Sequence, residues 1–249
     1  MPPYDDDALA IAAAERAAQV LRTLHDEGRL HGAALGAAGD RQANDAIVRL
    51  LRAERPDDGL LSEEMAPDAS RLGRRRVWIV DPLDGTREFS EAGPRADWAV
   101  HVALCIDGVP SACAVALPAL GQLFGSRTPV VPPVAASRRP RLVVSRTRAP
   151  ALARAVADYL GAEQIAMGSA GAKAMAVLRG EADVYLHAGG LNEWDSCAPV
   201  GVALAHGLHA SRLDGSPCRY NQVDPSMPDL LICRPEWLAP VREALAACS

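Results

Sequence analysis

The sequence has one lysine, Lys173, among its 26 lysines and arginines, and its formal net charge is −5. A general affinity for nucleic acid is therefore disfavoured, because binding along a phosphate backbone needs an excess of positive charge. No apolar run approaches the ~20 residues that a membrane-spanning helix needs. Aspartates occupy positions 5–7, where an export signal would be basic. We predict a cytoplasmic protein without membrane or nucleic-acid partners.

The six cysteines are scattered, and none forms a Cys-x-x-Cys pair or lies in a cluster with histidine. Zinc sites and redox dithiols need closely spaced ligands, so neither is predicted. Cys105 and Cys113 lie in strand-like apolar runs and are interpreted as small buried side chains. The chemistry of the protein must therefore come from other residues.

Hydrophobic periodicity divides the chain into two halves, residues 1–128 and 141–249, joined by a proline-rich stretch at 129–140. The first half is predicted to hold helices at about 5–27 and after Asp40, and strands at 59–62, 77–80, 98–106, 109–117 and 122–124. In the second half we predict strands at 141–145, 183–187 and 230–233, and helices at 149–160, 170–179, 195–206 and from 235. A helix-plus-antiparallel-sheet half thus precedes an alternating half, which indicates an α/β (α+β) fold.

The hexapeptide DPLDGT at residues 81–86 follows a short, continuously apolar strand. Pro82 fixes its own backbone and restricts Asp81, so the chain turns as it leaves the sheet. Asp81 and Asp84 would repel each other there unless a cation lies between them, and Mg²⁺ prefers such oxygen ligands. If a helix begins at Gly85 or Thr86, their N–H groups can hold a phosphate oxygen. An ordinary strand–turn–helix with an aspartate cap is the alternative, but the whole hexapeptide favours a metal and phosphate site.

Other acidic positions are ambiguous by themselves. Glu63 and Glu64 follow a short predicted strand, and most such pairs are solvated surface residues. Asp40 and Asp195 each precede a predicted helix, where an aspartate commonly serves as the N-cap. None of these positions alone indicates a metal ligand.

Three segments occur in the order found in the inositol monophosphatase superfamily, namely LSEE at 61–64, WIVDPLDGTREF at 78–89 and EWDS at 193–196. The sequence most resembles the CysQ branch, the 3′(2′),5′-bisphosphate nucleotidases, in its actinobacterial form, and the resemblance covers essentially the whole chain. It implies a layered α/β/α/β/α sandwich and a Mg²⁺-dependent phosphomonoesterase. Sensitivity to lithium is expected of the family. Many members are homodimers, and the long apolar strands after Trp98 allow a homodimer here.

The same resemblance implies a centre of two or three Mg²⁺ ions. The ligands would be Glu63, Asp81, the main-chain carbonyl of Leu83, Asp84 and Asp195. Asp81 would be shared between two ions, while Asp40 and Thr86 match the pair that orients and deprotonates the attacking water. These roles fit the chemistry, because a phosphate monoester repels an anionic nucleophile until cations neutralise its oxygens.

Residues beyond the metal motif indicate the substrate. Arg87 and Glu88 follow the Asp-Gly-Thr motif as in the nucleotidases, whereas inositol phosphatases tend to carry Thr-Asn there. The segment SRTR at 145–148 resembles the Ser-Arg-Ser-His segment near the nucleotide, with Arg148 in place of His. The predicted substrate-binding residues are Glu63, Leu83, Asp84, Gly85, Thr86, Arg87, Ser145, Arg146, Ser169, Lys173 and Asp195.

Several positions near the predicted substrate site have more than one interpretation. A helix start at Ser169 offers a second anion site, and Lys173, one turn further on, could reach a 5′-phosphate or stay at the surface. Residues 220–222 resemble a segment that lines the nucleotide pocket of CysQ proteins, or form a surface turn. The inositol-binding glutamate of inositol monophosphatases aligns near Ala188, which cannot accept a sugar hydroxyl. His101 lies in a strand-like segment and is interpreted as a core or edge residue.

The leading hypothesis is hydrolysis of the 3′-phosphate of 3′-phosphoadenosine 5′-phosphate (PAP) to give AMP and phosphate. Relatives in this branch also accept the sulfated form of the nucleotide. An inositol-1-phosphate or fructose-1,6-bisphosphate phosphatase is the alternative within the superfamily, and a non-catalytic nucleotide-sensing protein is the alternative from another class. The presence of Asp40, Thr86 and every metal carboxylate favours an enzyme.

Overall fold

The computed structural model describes residues 4–66, 68–129, 139–147 and 149–248. The described helices are α1 (Asp6–Glu27), α2 (Gly32–Glu54), α3 (Thr86–Ser90), α4 (Ala151–Tyr159), α5 (Ala170–Leu178), α6 (Glu193–Ala205) and α7 (Leu238–Cys248). The described strands are β1 (Gly59–Ser62), β2 (Arg76–Asp84), β3 (Ala99–Ile106), β4 (Val109–Leu117), β5 (Gln122–Gly125), β6 (Arg141–Ser145), β7 (Glu163–Met167), β8 (Val184–Asn192), β9 (His209–Ser211) and β10 (Ser226–Cys233). Short 3-10 turns occupy Ala69–Gly73, Pro118–Leu120 and Pro235–Trp237.

The strands form two five-stranded sheets. The first has the order β1-β2-β3-β4-β5, in which β1 pairs parallel with β2 and the other neighbours are antiparallel. The second has the order β7-β6-β8-β10-β9, in which β6 pairs parallel with both β7 and β8, and β10 pairs antiparallel with β8 and β9. Each sheet therefore mixes both kinds of pairing.

The helices cover both sheets and separate them. Helices α1 and α2 pack on the outer face of the first sheet, and α4 and α7 pack on the outer face of the second. Helices α5 and α6 lie between the sheets, where α6 contacts β2, β3 and β4 on one side and β8 and β10 on the other. This arrangement is the predicted α/β/α/β/α sandwich.

Local sequence signals explain where several elements begin and end. Asp5 is the N-cap of α1 and accepts a hydrogen bond from the Ala8 N–H at 2.8 Å. Gly28 ends that helix with φ 60°, a left-handed conformation that glycine adopts without strain. Asp107 and Gly108 both have positive φ, 51° and 78°, as a two-residue hairpin turn between β3 and β4 requires. The predicted helix at about 5–27 and the predicted strands at 98–106 and 109–117 are confirmed.

A bulge in β2 determines how the DPLDGT motif is presented. In the pairing with β3, Asp81 lies opposite His101 and Asp84 lies opposite Ala99, so three steps on β2 match two steps on β3. Side chains alternate along a regular strand, so residues three apart would face opposite sides. The extra residue in the bulge shifts the alternation by one position, so both aspartates face the central helices.

Two predicted helix starts are wrong. Helix α2 begins at Gly32, so Asp40 lies in its interior rather than ahead of it. Helix α6 begins at Glu193 with Asn192 as its N-cap, so Asp195 is the third helical residue. Neither aspartate is the N-cap, although Asp195 belongs to a capping box in which its Oδ2 accepts the Asn192 N–H at 2.6 Å.

Other boundaries also differ from the predictions. Strands β7 and β9 were not predicted, because β7 is a largely exposed edge strand and β9 has only three residues. Strand β8 continues to Asn192 instead of ending at residue 187. Arg148 and residues 130–138 of the proline-rich stretch lie outside the described residues.

The cysteines are free thiols, of which five are buried and Cys248 on α7 is partly exposed. Burial raises the pKa of Cys105 to about 12 and that of Cys197 well above its ordinary value. The interpretation of Cys105 and Cys113 as small buried side chains is confirmed. Within the described ranges, no helix is long and apolar enough to cross a membrane.

Candidate active site

Four carboxylates converge where the first sheet meets the central helices. Asp81 and Asp84 lie at the bulged end of β2, Glu63 directly follows the neighbouring strand β1, and Asp195 lies in the first turn of α6. One oxygen each of Asp81 and Asp84 and one ring nitrogen of His101 lie within 4.8 Å of one another. The Glu63 and Asp195 carboxyls lie close enough to Asp81 for their charges to raise its pKa. Residues distant in sequence thus form one acidic cluster.

Burial and mutual repulsion oppose the simultaneous ionisation of these groups. The pKa of Asp81 lies well above its ordinary value, first because the side chain is buried and then because Glu63, Asp84 and Asp195 carry like charge. Burial, aided by neighbouring carboxylates, also raises the pKa of Glu63 to about 7 and that of Asp195 to about 8. Without a counter-charge, the cluster holds only part of its negative charge at neutral pH.

One oxygen of the Asp81 carboxylate indicates which kind of ligand the carboxylate cluster can hold. Asp81 Oδ1 accepts a hydrogen bond from the Leu83 N–H at 3.0 Å, whereas its Oδ2 is buried and receives none from a described donor. A buried carboxylate oxygen without a donor is unfavourable unless it faces a cation. Hard divalent cations prefer several carboxylate and carbonyl oxygens. The donor set therefore fits a hard divalent cation.

Asp84 is held by the beginning of α5. Its Oδ2 accepts hydrogen bonds from the Ser169 hydroxyl at 2.5 Å and the Gly171 N–H at 2.8 Å. Ser169 is also the N-cap of α5, because its Oγ accepts the Ala172 N–H at 3.0 Å. A Cβ at Gly171 would lie 2.0 Å from His101 Nε2, so only glycine fits at this contact. The Ser169 hydroxyl, predicted to bind substrate, is engaged with a carboxylate of the protein itself.

The Thr86 hydroxyl lies between two oxygen acceptors. Its Oγ1 is 3.1 Å from Asp40 Oδ1 and 3.1 Å from the Leu83 carbonyl oxygen. Gly85, with φ 93°, turns the chain so that α3 begins at Thr86. Burial raises the pKa of Asp40 to about 6, with the Thr86 hydrogen bond opposing the shift and the charge of Glu64 adding to it. A carboxyl of this pKa is mostly ionised at neutral pH yet still basic enough to accept a proton.

His101 belongs to the cluster, although its sequence position indicated only a core or edge residue. It is fully buried on β3, opposite Asp81. Its Nδ1 is 3.0 Å from the Trp194 carbonyl oxygen, and its Nε2 is 3.3 Å from Asp84 Oδ2. His101 therefore links the end of β2 to the first turn of α6. Only the strand register would have identified it, and apolar periodicity does not give the register.

Lys173 does not lie at the surface, so that alternative is wrong. The side chain is buried, and its Nζ donates to the Ser169 carbonyl at 2.8 Å and to the Gly168 carbonyl. The ammonium also lies 5.3 Å from the centre of the Tyr185 ring. Burial lowers the pKa of Lys173, although the charge of Asp84 opposes the shift. The amine thus holds the segment that precedes α5.

The remaining predicted substrate residues lie near α3. Arg87 is exposed on that helix, and Ser145 ends β6. Arg146 follows directly, and its Nη2 donates to Glu88 Oε1 at 2.7 Å and to Glu91 Oε1 at 2.6 Å. The end of β6 is therefore joined to α3 by an arginine shared between two carboxylates.

Residues 220–222 form part of an internal clamp. The buried Glu193 accepts the Asn221 and Gln222 N–H groups, both at 2.7 Å. The buried Arg71 donates to the Asn221 side-chain oxygen at 2.6 Å and to the Gln222 carbonyl at 2.8 Å. Tyr220 is fully buried, Asn221 is partly buried with φ 59° and Gln222 is exposed, so the segment leaves the core and turns at the surface. The clamp fixes the start of α6, where Asp195 lies.

Comparison with known proteins agrees with this geometry. The inositol monophosphatase family matches residues 6–245. The 3′-phosphoadenosine 5′-phosphate phosphatase of Mycobacterium tuberculosis is 55% identical over 215 residues, which cover 83% of this chain and 80% of that protein. The 3′(2′),5′-bisphosphate nucleotidase CysQ of Escherichia coli is 32% identical over 196 residues, which cover 74% of this chain and 78% of that protein.

Among solved structures, CysQ from Bacteroides thetaiotaomicron, a bacterial member of the same family, superposes with a TM-score of 0.77 at 26% identity. The match covers 91% of this chain and 96% of that one. The family model spans nearly the whole chain, and the relatives share the layered fold. The chain belongs to the inositol monophosphatase family.

Proposed function

We propose that this protein is a Mg²⁺-dependent phosphomonoesterase that removes the 3′-phosphate of PAP, giving AMP and phosphate. The observation that carries this proposal is the 3.1 Å contact between Thr86 and Asp40 beside a buried carboxylate cluster. This arrangement offers a base and a set of cation ligands within one site. The mycobacterial and E. coli relatives, named for nucleotide substrates of this class, support the choice of substrate.

The proposed cation ligands are Glu63, Asp81, the Leu83 carbonyl, Asp84 and Asp195, holding two or three Mg²⁺ ions. When bound, the cations neutralise the phosphate oxygens, acidify a water molecule and stabilise the leaving alkoxide. Two observations support the fit, namely the buried Asp81 oxygen without a donor and the all-oxygen donor set.

Thr86 and Asp40 are proposed to remove a proton from the attacking water. The Thr86 hydroxyl donates to Asp40, which leaves an oxygen lone pair free to accept a hydrogen bond from the attacking water. As the water attacks phosphorus, its proton passes to Thr86 while the threonine proton passes to Asp40. The side chains of the protein thus position the attacking water and accept its proton, and phosphoryl transfer needs little covalent chemistry beyond this.

The decisive experiment compares kcat/KM for PAP, inositol-1-phosphate and fructose-1,6-bisphosphate at equal Mg²⁺. We expect a preference for PAP of more than about tenfold, equivalent to ~1.4 kcal/mol of differential transition-state binding. A similar preference for inositol phosphate would contradict the substrate assignment. Tight AMP binding without hydrolysis of any of the three would indicate a nucleotide sensor instead.

The proposed base predicts the acid side of the pH–activity profile. Burial raises the pKa of Asp40 to about 6, so this carboxyl gains a proton and stops accepting one as the pH falls through that value. We expect kcat/KM to fall below about pH 6, with saturating Mg²⁺ throughout. The matched variant Asp40→Asn should retain only weak activity without this acid limb. An unchanged acid limb in that variant would assign it to another group.

Three further features are parts of the proposal. We propose that the chain divides into halves at 1–128 and 141–249, and the position of one sheet in each half supports this division. We also propose a homodimer, to be tested by light scattering in solution, and a cytoplasmic location, to be tested by cell fractionation.

A further inference from the structure

The first turn of α6, which carries Asp195, is weakened by a proline. Pro199 lies inside this helix, four residues after Asp195. Proline has no N–H, so the usual helical hydrogen bond to the Asp195 carbonyl is missing, and the proline ring crowds that carbonyl. One oxygen of the Asp195 side chain, Oδ2, is engaged by the Asn192 N–H at 2.6 Å. The position of this carboxylate therefore depends on contacts that hold the turn from outside the helix.

His101 supplies such a contact from the first sheet. Its Nδ1 lies 3.0 Å from the carbonyl oxygen of Trp194, one residue before Asp195. A carbonyl oxygen can only accept a hydrogen bond, so Nδ1 carries the proton and is the donor. The side chain of the preceding residue, Glu193, accepts two N–H groups of the clamp at residues 221–222. Both residues before Asp195 are therefore held by other segments of the chain.

The imidazole ring of His101 is confined by three elements. Its Nε2 lies 3.3 Å from Asp84 Oδ2 at the end of β2, and a Cβ at Gly171 of α5 would lie 2.0 Å from the same nitrogen. Asp84 Oδ2 already accepts hydrogen bonds from Ser169 and Gly171, and Nε2 forms none with a described residue. The contact with Trp194 is therefore the one hydrogen bond of this ring within the described ranges.

The sheet register places the same ring beside the other proposed cation ligands. His101 on β3 lies opposite Asp81 on β2, and Asp84 is in contact with its Nε2. Both aspartates belong to the first sheet, whereas Asp195 belongs to α6. The separation between these ligands therefore depends on how α6 docks on the sheet. The hydrogen bond from His101 fixes this docking at a point one residue from Asp195.

We infer that His101 is a positioning residue for the proposed cation site. Its hydrogen bond to the Trp194 carbonyl holds the turn that Pro199 weakens, and it thereby places Asp195 relative to the two aspartates of β2. The inference rests on the proposed function. Removing a group that orients a metal ligand typically weakens metal affinity about 10- to 100-fold. Loss of the His101 donor is therefore expected to weaken Mg²⁺ binding.

The test compares two variants of the same shape, His101→Leu and His101→Asn. Both side chains branch at Cγ and both lack Nε2, but asparagine carries an amide nitrogen at the position of Nδ1, whereas leucine has no donor. Calorimetric titration with Mg²⁺ alone should give a Kd about 10- to 100-fold higher than wild type for His101→Leu. For His101→Asn the Kd should stay within about threefold, less than the usual contribution of one hydrogen bond.

Two further variants separate positioning from a general loss of stability. Val156→Ala removes volume from the core under α4, on the outer face of the second sheet. It should lower the melting temperature and leave the Kd for Mg²⁺ unchanged. Pro199→Ala restores the N–H that the Asp195 carbonyl lacks. Added to His101→Leu, it should lower the Kd for Mg²⁺ at least about threefold, by the worth of one hydrogen bond.

Equal Mg²⁺ affinities in His101→Leu and His101→Asn would overturn this inference, whether both match the wild type or both fall. A weakened affinity in Val156→Ala, or a double variant no better than His101→Leu alone, would also overturn it. If His101→Leu does not fold, His101→Asn still decides, because a Kd more than about tenfold above wild type contradicts the role of the Nδ1 donor. A wild-type protein that binds no Mg²⁺ or does not hydrolyse PAP contradicts the proposed function instead.

Discussion

Replacing Asp81 by asparagine is expected to abolish turnover while raising the melting temperature of the metal-free protein. Asparagine keeps the acceptor for the Leu83 N–H. It removes a carboxyl that destabilises the metal-free fold, because this group must either take up a proton or bury a charge beside three other carboxyls. Relief of about 1–3 kcal/mol corresponds to a rise of about 2–12 °C for a chain of this size. A cation ligand contributes several kcal/mol of transition-state stabilisation, so kcat/KM should fall at least about a thousandfold.

Melting curves with EDTA and with excess Mg²⁺ separate the effect on metal-free stability from the effect on metal binding. They are measured at a pH above the Glu63 pKa of about 7. Mg²⁺ should raise the melting temperature of the wild-type protein, because a ligand at a hundred times its Kd stabilises the folded state by about 2.7 kcal/mol. Most of this shift should disappear in Asp81→Asn. The exposed Asp45 on α2 provides the control, since Asp45→Asn should change neither quantity. Normal activity in Asp81→Asn would exclude the proposed metal site.

The second large effect is expected for Thr86→Val, which removes the hydroxyl and keeps the branched shape. Because the hydroxyl bridges the attacking water and Asp40, kcat should fall by about 10²- to 10⁴-fold, the usual contribution of general acid–base catalysis. KM should change little, since valine removes no charge from the site. The measurement is steady-state kinetics with PAP at saturating Mg²⁺.

Thr86→Ser serves as the matched control for this prediction. Serine restores the hydroxyl at the same position, so we expect most of the activity to return. Equal losses in the valine and serine variants would indicate that the methyl group, through packing, matters more than the proton. A valine variant with kcat within about tenfold of wild type would remove Thr86 from the proton path.

Short-range patterns predicted most strands, the α/β (α+β) class and the acidic motif, whereas the layered sandwich was implied by the resemblance to the superfamily. The apolar run before Asp81 identified β2, and the apolar runs at 98–106 and 109–117 identified β3 and β4. The spacing within DPLDGT placed Asp81 and Asp84 next to each other. The bulge that turns both side chains to one face is a property of the pairing with β3, and it was not predicted.

The start of α2 was misjudged for a physical reason that concerns the site. Glycines at 32, 36 and 39 lower helix propensity and resemble a loop. In the structure, a Cβ at Gly36 would lie 2.8 Å from Thr86 Cγ2, and a Cβ at Gly39 would lie 2.8 Å from Phe89. Tertiary packing thus outweighs propensity, because only small residues let α2 approach α3 closely enough for Asp40 to reach Thr86.

Contacts between distant segments were the part of the site that the sequence predicted least well. The hydroxyl of Ser169 meets Asp84, and the ammonium of Lys173 meets main-chain carbonyls inside the protein. Both depend on how α5 docks between the sheets, which no local pattern specifies. The same holds for His101, whose neighbours come from β2 and from the start of α6.

The origin of the four carboxylates has a consequence for the folding of the chain. Glu63, Asp81 and Asp84 leave the ribosome with the first sheet, whereas Asp195 arrives much later, on a helix that docks between the two sheets. A nascent or refolding chain can complete its first sheet and still lack one wall of the cation site. The cation site is complete only once α6 has docked on the first sheet, so we expect activity to return no earlier than this docking step.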